Sequence, residues 1–182
     1  MGGREVGGLA NLLSAHRDLD NPAHRAEVAR LWGVDSVPER PGKTAVELFD
    51  ALEKGEVKAV WIACTNPAQS LPDQNRVQAA LEKGDLVVVQ EAFADTETAA
   101  FADVLLPAAT WGETEGTMTN SERCISRVRA AVPPPGEARA DWQIACDFAR
   151  RFRPDAGARL FPYADAEAVF DEHRETTRGR DL

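Results

Sequence analysis

The sequence predicts an α/β fold built on an open sheet of parallel strands. Three apolar runs carry that expectation: VKAVWIAC, DLVVVQ and ADVLLP, all within residues 57–107 and each rich in Val, Ile or Leu. Runs of this kind, joined by helical patterns, are the mark of parallel strands in an open sheet. Such sheets bind ligands at the carboxyl ends of their strands. At those ends the sequence puts Thr65, Asn66, Gln69 and Ser70 after the first run, then Gln90 and Glu91 after the second. The result is a polar rim with one carboxylate.

Glycines at positions 2, 3, 7 and 8 favour close backbone approach over a regular element, so the N-terminus reads as a loop that wraps around something. Asn21 and Pro22 are an N-cap and a first-turn proline, which predicts a helix through NPAHRAEVARLW ending at Gly33. VDSVPERPGK, with two prolines, reads as an extended connector. Val46, Phe49 and Leu52 give a helix over residues 44–54 one apolar side, and Gly55 stops it. An amphipathic stretch runs to Lys83 after the first strand. Pro107 ends the third strand, and ATWGETEGTMTNSERC, rich in Gly, Ser and Thr, reads as a long surface loop. CISRVRAAV alternates like a strand. PPPGEARADW is a stiff connector into the helix DWQIACDFARRF, with Asp141 as its N-cap. YADAEAVFDEHRET reads as a short acidic helix, and the sequence as a whole reads as part of something larger. Residues 1–43 are then a glycine-rich loop, helix and connector, residues 44–153 the α/β core, and residues 154–182 a C-terminal connector segment.

Composition narrows the function. The 182 residues hold 21 basic and 30 acidic side chains, a net charge of −9, with no basic cluster; a nucleic-acid partner is not expected. No run reaches the roughly 18 to 20 apolar residues of a membrane span, and MGGREVGG has no apolar signal core. Cys64, Cys124 and Cys146 are widely spaced without a CxxC pair, and His16, His24 and His173 show no ligand spacing. Neither a disulfide framework nor a metal site is expected from this chain, and a reducing compartment fits best.

Glu91 follows Asn66 by 25 positions. In nucleotide-binding α/β units an acid about 20 residues past the first turn accepts hydrogen bonds from ribose hydroxyls. The alternative is a cap on a following helix, and the glycine-rich GxGxxG fingerprint is absent. Pro67 holds Asn66 extended, so its amide can bridge a phosphate or a base edge, or simply form an Asn-Pro turn. Asp141 suits the N1–H and N2–H donors of a guanine, or a helix N-cap. Trp111, Thr114 and Asn120 either close over a ligand or sit in a solvated loop. Arg123, Arg127 and Arg129 offer charge for a diphosphate, although solvated arginines are the plainer reading. No grouping suggests nucleophilic catalysis. By its residues alone the chain reads as a binder.

The phrases GREVGGLANLLSAHRDLDNPAHRAEVARLWGV, KAVWIACTNPAQSLPD, LVVVQEAFADTETAAFADVLLPAATWGETEGTMTNSERCISRVR and PPGEARADWQIACDFARRF resemble the molybdopterin oxidoreductases of the dimethyl sulfoxide reductase family. The resemblance covers nearly the whole chain. ADVLLPAATWGETEGTMTNSER is the most family-specific phrase, and GREVGGLANLL with CTNPAQSLPD narrows it towards the catalytic (large) subunits of bacterial assimilatory nitrate reductases. Respiratory and formate-oxidising relatives share the frame. The resemblance implies a three-layer Rossmann-like domain with a mostly parallel sheet, part of the third domain of a much longer subunit. That domain holds the guanine nucleotide end of one of the molybdopterin guanine dinucleotides of a bis-molybdopterin guanine dinucleotide molybdenum cofactor. The family's [4Fe-4S] cluster and its molybdenum ligand belong to other segments.

Carried over by motif, Asn66 in CTNP lies against the cofactor, and Gln90 and Glu91 form the strand-end pair whose acid holds the ribose diol. Asp141 in ARADWQ matches an Asp that reads the guanine. Thr114 stands where periplasmic relatives have a Lys near the cofactor. The expected function is part of a cytoplasmic, molybdenum-dependent reduction of nitrate to nitrite by two electrons. The expected partners are the remaining domains of the subunit and an electron-donor protein or subunit, and the 182-residue chain alone is expected to be inactive. The alternatives are a formate dehydrogenase-like molybdopterin enzyme, or a stand-alone nucleotide- or cofactor-binding module without catalysis.

Overall fold

The chain, described over residues 7–180 by a computed structural model, divides into two units. One takes the residues up to Gly42, Thr114–Val132 and the residues from Ala145 onward; the other is Lys43–Glu113 with Pro133–Ile144. Glycines 2 and 3 of the expected wrapping loop lie outside the described residues.

The first unit begins with an antiparallel pair, β1 (Leu12–Leu13) and β2 (Arg17–Asp18), turned by Ala15 and His16 at positive φ. Arg17 is fully buried. Its guanidinium donates to Glu27 at 2.8 and 2.9 Å, to the Ser14 carbonyl at 3.0 Å and to the Thr176 carbonyl at 2.7 Å. A buried cation is tolerated only with such a set of acceptors. In α1 (Pro22–Trp32) the Asn21 side chain accepts from the N–H groups of Ala23 and His24, and Gly33 closes the helix at φ 64°. Both ends agree with the sequence signals.

The second unit opens with α2 (Ala45–Glu53), where the Glu47 carboxylate accepts from the Thr44 N–H and hydroxyl at 2.8 and 2.9 Å. Then come β3 (Ala59–Ala63), the single turn α3 (Pro67–Ser70), α4 (Gln74–Lys83), β4 (Leu86–Glu91) and β5 (Val104–Pro107). The three strands form a parallel sheet in the order β3-β4-β5, with Val60 opposite Val87, Ile62 opposite Val89 and Ala63 opposite Gln90. Alternation decides which way each side chain points. Val60, Ile62, Val87 and Val89 bury against Phe49 and Leu52 of α2 and Val77, Ala80 and Leu81 of α4. Trp61, Leu86 and Val104 stay partly exposed on the opposite face. This is a parallel core sheet flanked by helices, as expected of a Rossmann-like domain.

Two local expectations need correction. No α-helix joins β4 to β5; a short 3-10 turn at Ala99–Phe101 does. EAFADTETAA lacks an apolar stripe, and its Asp and Thr residues favour turns over helix interiors. The stretch read as a long loop holds β6 (Gly116–Thr119), which pairs antiparallel with β7 (Ile125–Val128). That hairpin belongs to the first unit, with α6 (Gly157–Leu160) and α7 (Ala166–Thr177). α5 (Asp141–Phe152) starts in the second unit and ends in the first.

Leu52 is 1% exposed at the centre of the second unit's core. Leu52→Ala should cost about 3 kcal/mol through lost burial and the cavity left behind. A lower urea midpoint for unfolding of the chain checks this.

Candidate functional site

Parallel register sets the carboxyl ends of β3 and β4 side by side. Beyond β5 the chain pairs again: Arg139 N donates to the Pro107 carbonyl at 3.2 Å, and Ala109 N donates to the Arg139 carbonyl at 2.9 Å. This ladder delivers Asp141 to the strand ends. Asp141 is the first residue of α5 and not its cap. The Ala140 carbonyl receives the first helical N–H groups, and the Gln143 side chain reaches back to Ala140 N at 3.3 Å.

The Asp141 carboxylate instead faces the sheet. Gln90, only 4% exposed, donates from Nε2 to Asp141 Oδ1 at 2.6 Å. The Cys64 thiol donates to the same oxygen at 3.4 Å. Neither bond uses Oδ2. Cys64 follows β3 at φ 57°, and its N–H donates to the Gln90 carbonyl at 3.1 Å. Partial burial, then the charges of Asp141 and Glu91, push the Cys64 thiol up to about 11, although the residue keeps an exposed surface. At neutral pH the sulfur is therefore an S–H donor and a poor nucleophile.

Glu91 ends β4 with Oε1 accepting from the Ala92 N–H at 2.7 Å. No α-helix follows for it to cap. The Asn66 amide is engaged within the unit: Oδ1 accepts from the Thr98 N–H at 3.1 Å and its hydroxyl at 2.6 Å, while Nδ2 donates to Glu97 at 2.6 Å. Thr98 is fully buried and its hydroxyl oxygen accepts from Ala68 N at 3.1 Å. Asn66 thus ties the loop before the 3-10 turn to the start of α3, and its hydrogen bond holds the Glu97 carboxyl below the usual range.

Asn66, Gln90, Glu91 and Asp141 all lie in the second unit, whereas Thr114 opens a segment of the first. Asn120 accepts from the N–H groups of Glu122 and Cys124, as a turn residue of the β6–β7 hairpin. Arg127 pairs with Glu115 at 3.9 Å. Sequence reading passed over Cys64 and Thr98. Cys64 had a usable signal, its place directly after an apolar strand run; Thr98 had none.

The acceptor oxygens of Asp141 and Glu91 suit the N–H and hydroxyl donors of a base and a sugar more than the oxygens of a phosphate. Residues 64–73, 91–98 and 108–113 contain no Lys or Arg. A cavity of about 350 Å³ in the first unit, lined by Glu115, Arg127, Asp165, Glu167 and Phe170 among others, sets three carboxylates against one guanidinium and does not suit a diphosphate either. Among the described residues, no three His, Cys, Asp or Glu side chains group as metal ligands, and no helix is long and apolar enough to cross a membrane.

Residues 2–151 match the family described as "Molybdopterin oxidoreductase". The chain is 50% identical over 173 residues to a nitrate reductase of Klebsiella oxytoca, covering 95% of this chain and 20% of that protein. It is 42% identical over 180 residues to the assimilatory nitrate reductase catalytic subunit of Bacillus subtilis, covering 98% of this chain and 25% of that one. Among solved structures, acetylene hydratase from Pelobacter acetylenicus matches with a TM-score of 0.65 at 23% identity, over 86% of this chain and 22% of that chain. The chain spans a fifth to a quarter of the length of these curated relatives.

Alkylation of Cys64 by iodoacetamide, followed by peptide mass spectrometry, should accelerate with pH up to about 11. In Asp141→Asn the profile should move to lower pH, because one charge opposing the thiolate is gone. It should stay above that of an ordinary thiol, because burial, the largest cause, remains.

Proposed function

Since the chain belongs to the molybdopterin oxidoreductase family, we propose that it is the segment of a nitrate reductase large subunit that binds the guanine nucleotide end of molybdopterin guanine dinucleotide. One observation carries the reading. The Asp141 carboxylate stands at the carboxyl ends of parallel strands, held through Oδ1, with Oδ2 left for a ligand. A guanine presents N1–H and N2–H to such an acceptor, whereas adenine presents the N1 lone pair and is repelled. Glu91, one oxygen of which is engaged by Ala92, offers the other to a ribose diol. Gln90 stands behind Asp141. Asn66 supports the pocket through Thr98 and Glu97. Thr114 is a cofactor contact on motif position alone.

When bound, the molybdenum cofactor supplies the oxygen-atom exchange and the two electrons that convert nitrate to nitrite. This chain contributes binding and orientation of the nucleotide, chiefly from residues 44–153, with 1–43 and 154–182 as flanking segments. The cofactor's phosphates, its molybdenum ligand and the parent enzyme's [4Fe-4S] cluster fall to the remaining domains, and an electron-donor protein or subunit supplies the electrons. The chain alone is then inactive, and the assimilatory reading makes the enzyme cytoplasmic. The nitrate assignment draws on the names borne by the relatives at 50% and 42% identity.

Calorimetric titration with GDP and ADP tests the site. The chain should prefer GDP, Asp141→Ala should lower that preference on the order of tenfold or more, and Glu91→Ala should weaken both ligands alike because both carry the ribose. Equal binding of GDP and ADP, or no binding by the folded chain, overturns the guanine reading. In the full-length subunit, nitrate-dependent oxidation of reduced methyl viologen tests the substrate; formate-dependent dye reduction would move the assignment to the formate-oxidising branch.

A further inference from the structure

We infer that Gln90 and Cys64 are positioning residues that set base selectivity by fixing the Asp141 carboxylate through a single oxygen. The inference rests on the guanine reading above and goes beyond it by moving Gln90 from a cofactor contact to a support and by giving Cys64 a role.

Gln90 is a polar side chain buried on a strand, where a buried polar group needs a partner. Its partner is Asp141, 51 positions further along the chain, at 2.6 Å. Cys64 comes from a third segment and donates to the same oxygen at 3.4 Å. A carboxylate oxygen has two lone pairs in its plane, so these two donors fill Oδ1. Without them the carboxylate, on the exposed first residue of α5, can rotate about its side-chain bonds and exchange its oxygens. With them, Oδ2 is the oxygen left to the ligand, in one orientation. The high titration point of the thiol keeps the sulfur protonated and therefore a donor. Selectivity against adenine needs this fixity: a carboxylate free to swing away from the adenine N1 lone pair no longer rejects it.

The test is the ratio of GDP to ADP affinity, measured by calorimetry on the 182-residue chain together with its thermal melting. Gln90→Leu should lower the ratio on the order of tenfold, with GDP weakened and the penalty on ADP relieved. Cys64→Ala should lower it less, because a thiol is a weak donor, and Cys64→Ser should restore it. A purely structural role would shift melting and weaken both ligands together, leaving the ratio unchanged. If Gln90→Leu melts below the assay temperature, the Cys64→Ala and Cys64→Ser pair decides. An unchanged ratio in Gln90→Leu and Cys64→Ala, with the ratio lost in Asp141→Ala, overturns the positioning role and leaves the guanine reading intact. A chain without GDP preference overturns both.

Discussion

Parallel strands in sequential order must send every connection back across the sheet, and this gathers all the carboxyl ends on one edge. The register of β3, β4 and β5 fixes what stands there. Val60, Ile62, Val87 and Val89 bury against α2 and α4, and each such burial stabilises by roughly 1.5–3 kcal/mol. The hydrogen bond from Gln90 to Asp141 contributes about 1.5–3 kcal/mol at most, as one made to a charged group. The core therefore decides the register and the polar residues follow it. A slip of one residue would turn Val87 and Val89 out and Gln90 into the apolar layer. The direction of one amide is in this sense a consequence of four aliphatic side chains.

Asp141 reaches that edge by a different route. Two backbone hydrogen bonds, one between Arg139 and Pro107 at the end of β5 and one between Arg139 and Ala109 just after it, carry it there. Starting α5 with Asp141 also places a carboxylate at the positive end of a helix dipole, worth about 0.3–1 kcal/mol. Ala140 precedes the helix in the cap position, where its N–H is taken by Gln143, and the Asp141 carboxylate turns to the sheet. A second hydrogen-bond hub lies in the other unit, where Arg17 gathers Glu27, Ser14 and Thr176. It ties β2 and α1 to α7 and has the geometry of a structural group.

The legible parts of the fold were those with local causes. Asn21, Pro22 and Gly33 state the limits of α1 in their own chemistry, and the three Val- and Ile-rich runs state the sheet. Half of the β6–β7 hairpin was legible: the alternation of CISRVRAAV marks β7, whereas β6 passed for loop because GTMT has no buried face and Met118 is exposed. Asp141 and Gln90 were each singled out, but not as partners. The bond from Cys64 to Asp141 spans 77 positions, and no propensity or periodicity reaches that far in a single sequence. Asn66 shows the reverse case: it precedes Pro67 as the N-cap of α3, at φ −119° and ψ 74°, and its amide turns to Thr98, a contact across 32 positions.

The charge of the rim bears on how a nucleotide would be held. With a net charge of −9 and no Lys or Arg in residues 64–73, 91–98 and 108–113, the loops after the three strands offer a phosphate no positive charge of their own. On the proposed reading the second unit's contribution is directional, from Oδ2 of Asp141 to the base and from Glu91 to the sugar. Directional bonds at short range lose less to salt than attraction between separated charges. They also depend more on geometry, since a hydrogen bond weakens steeply once bent or stretched. A carboxylate held at one oxygen by two donors is an arrangement that meets that demand, and it places the burden of selectivity on the residues behind Asp141 as much as on Asp141 itself.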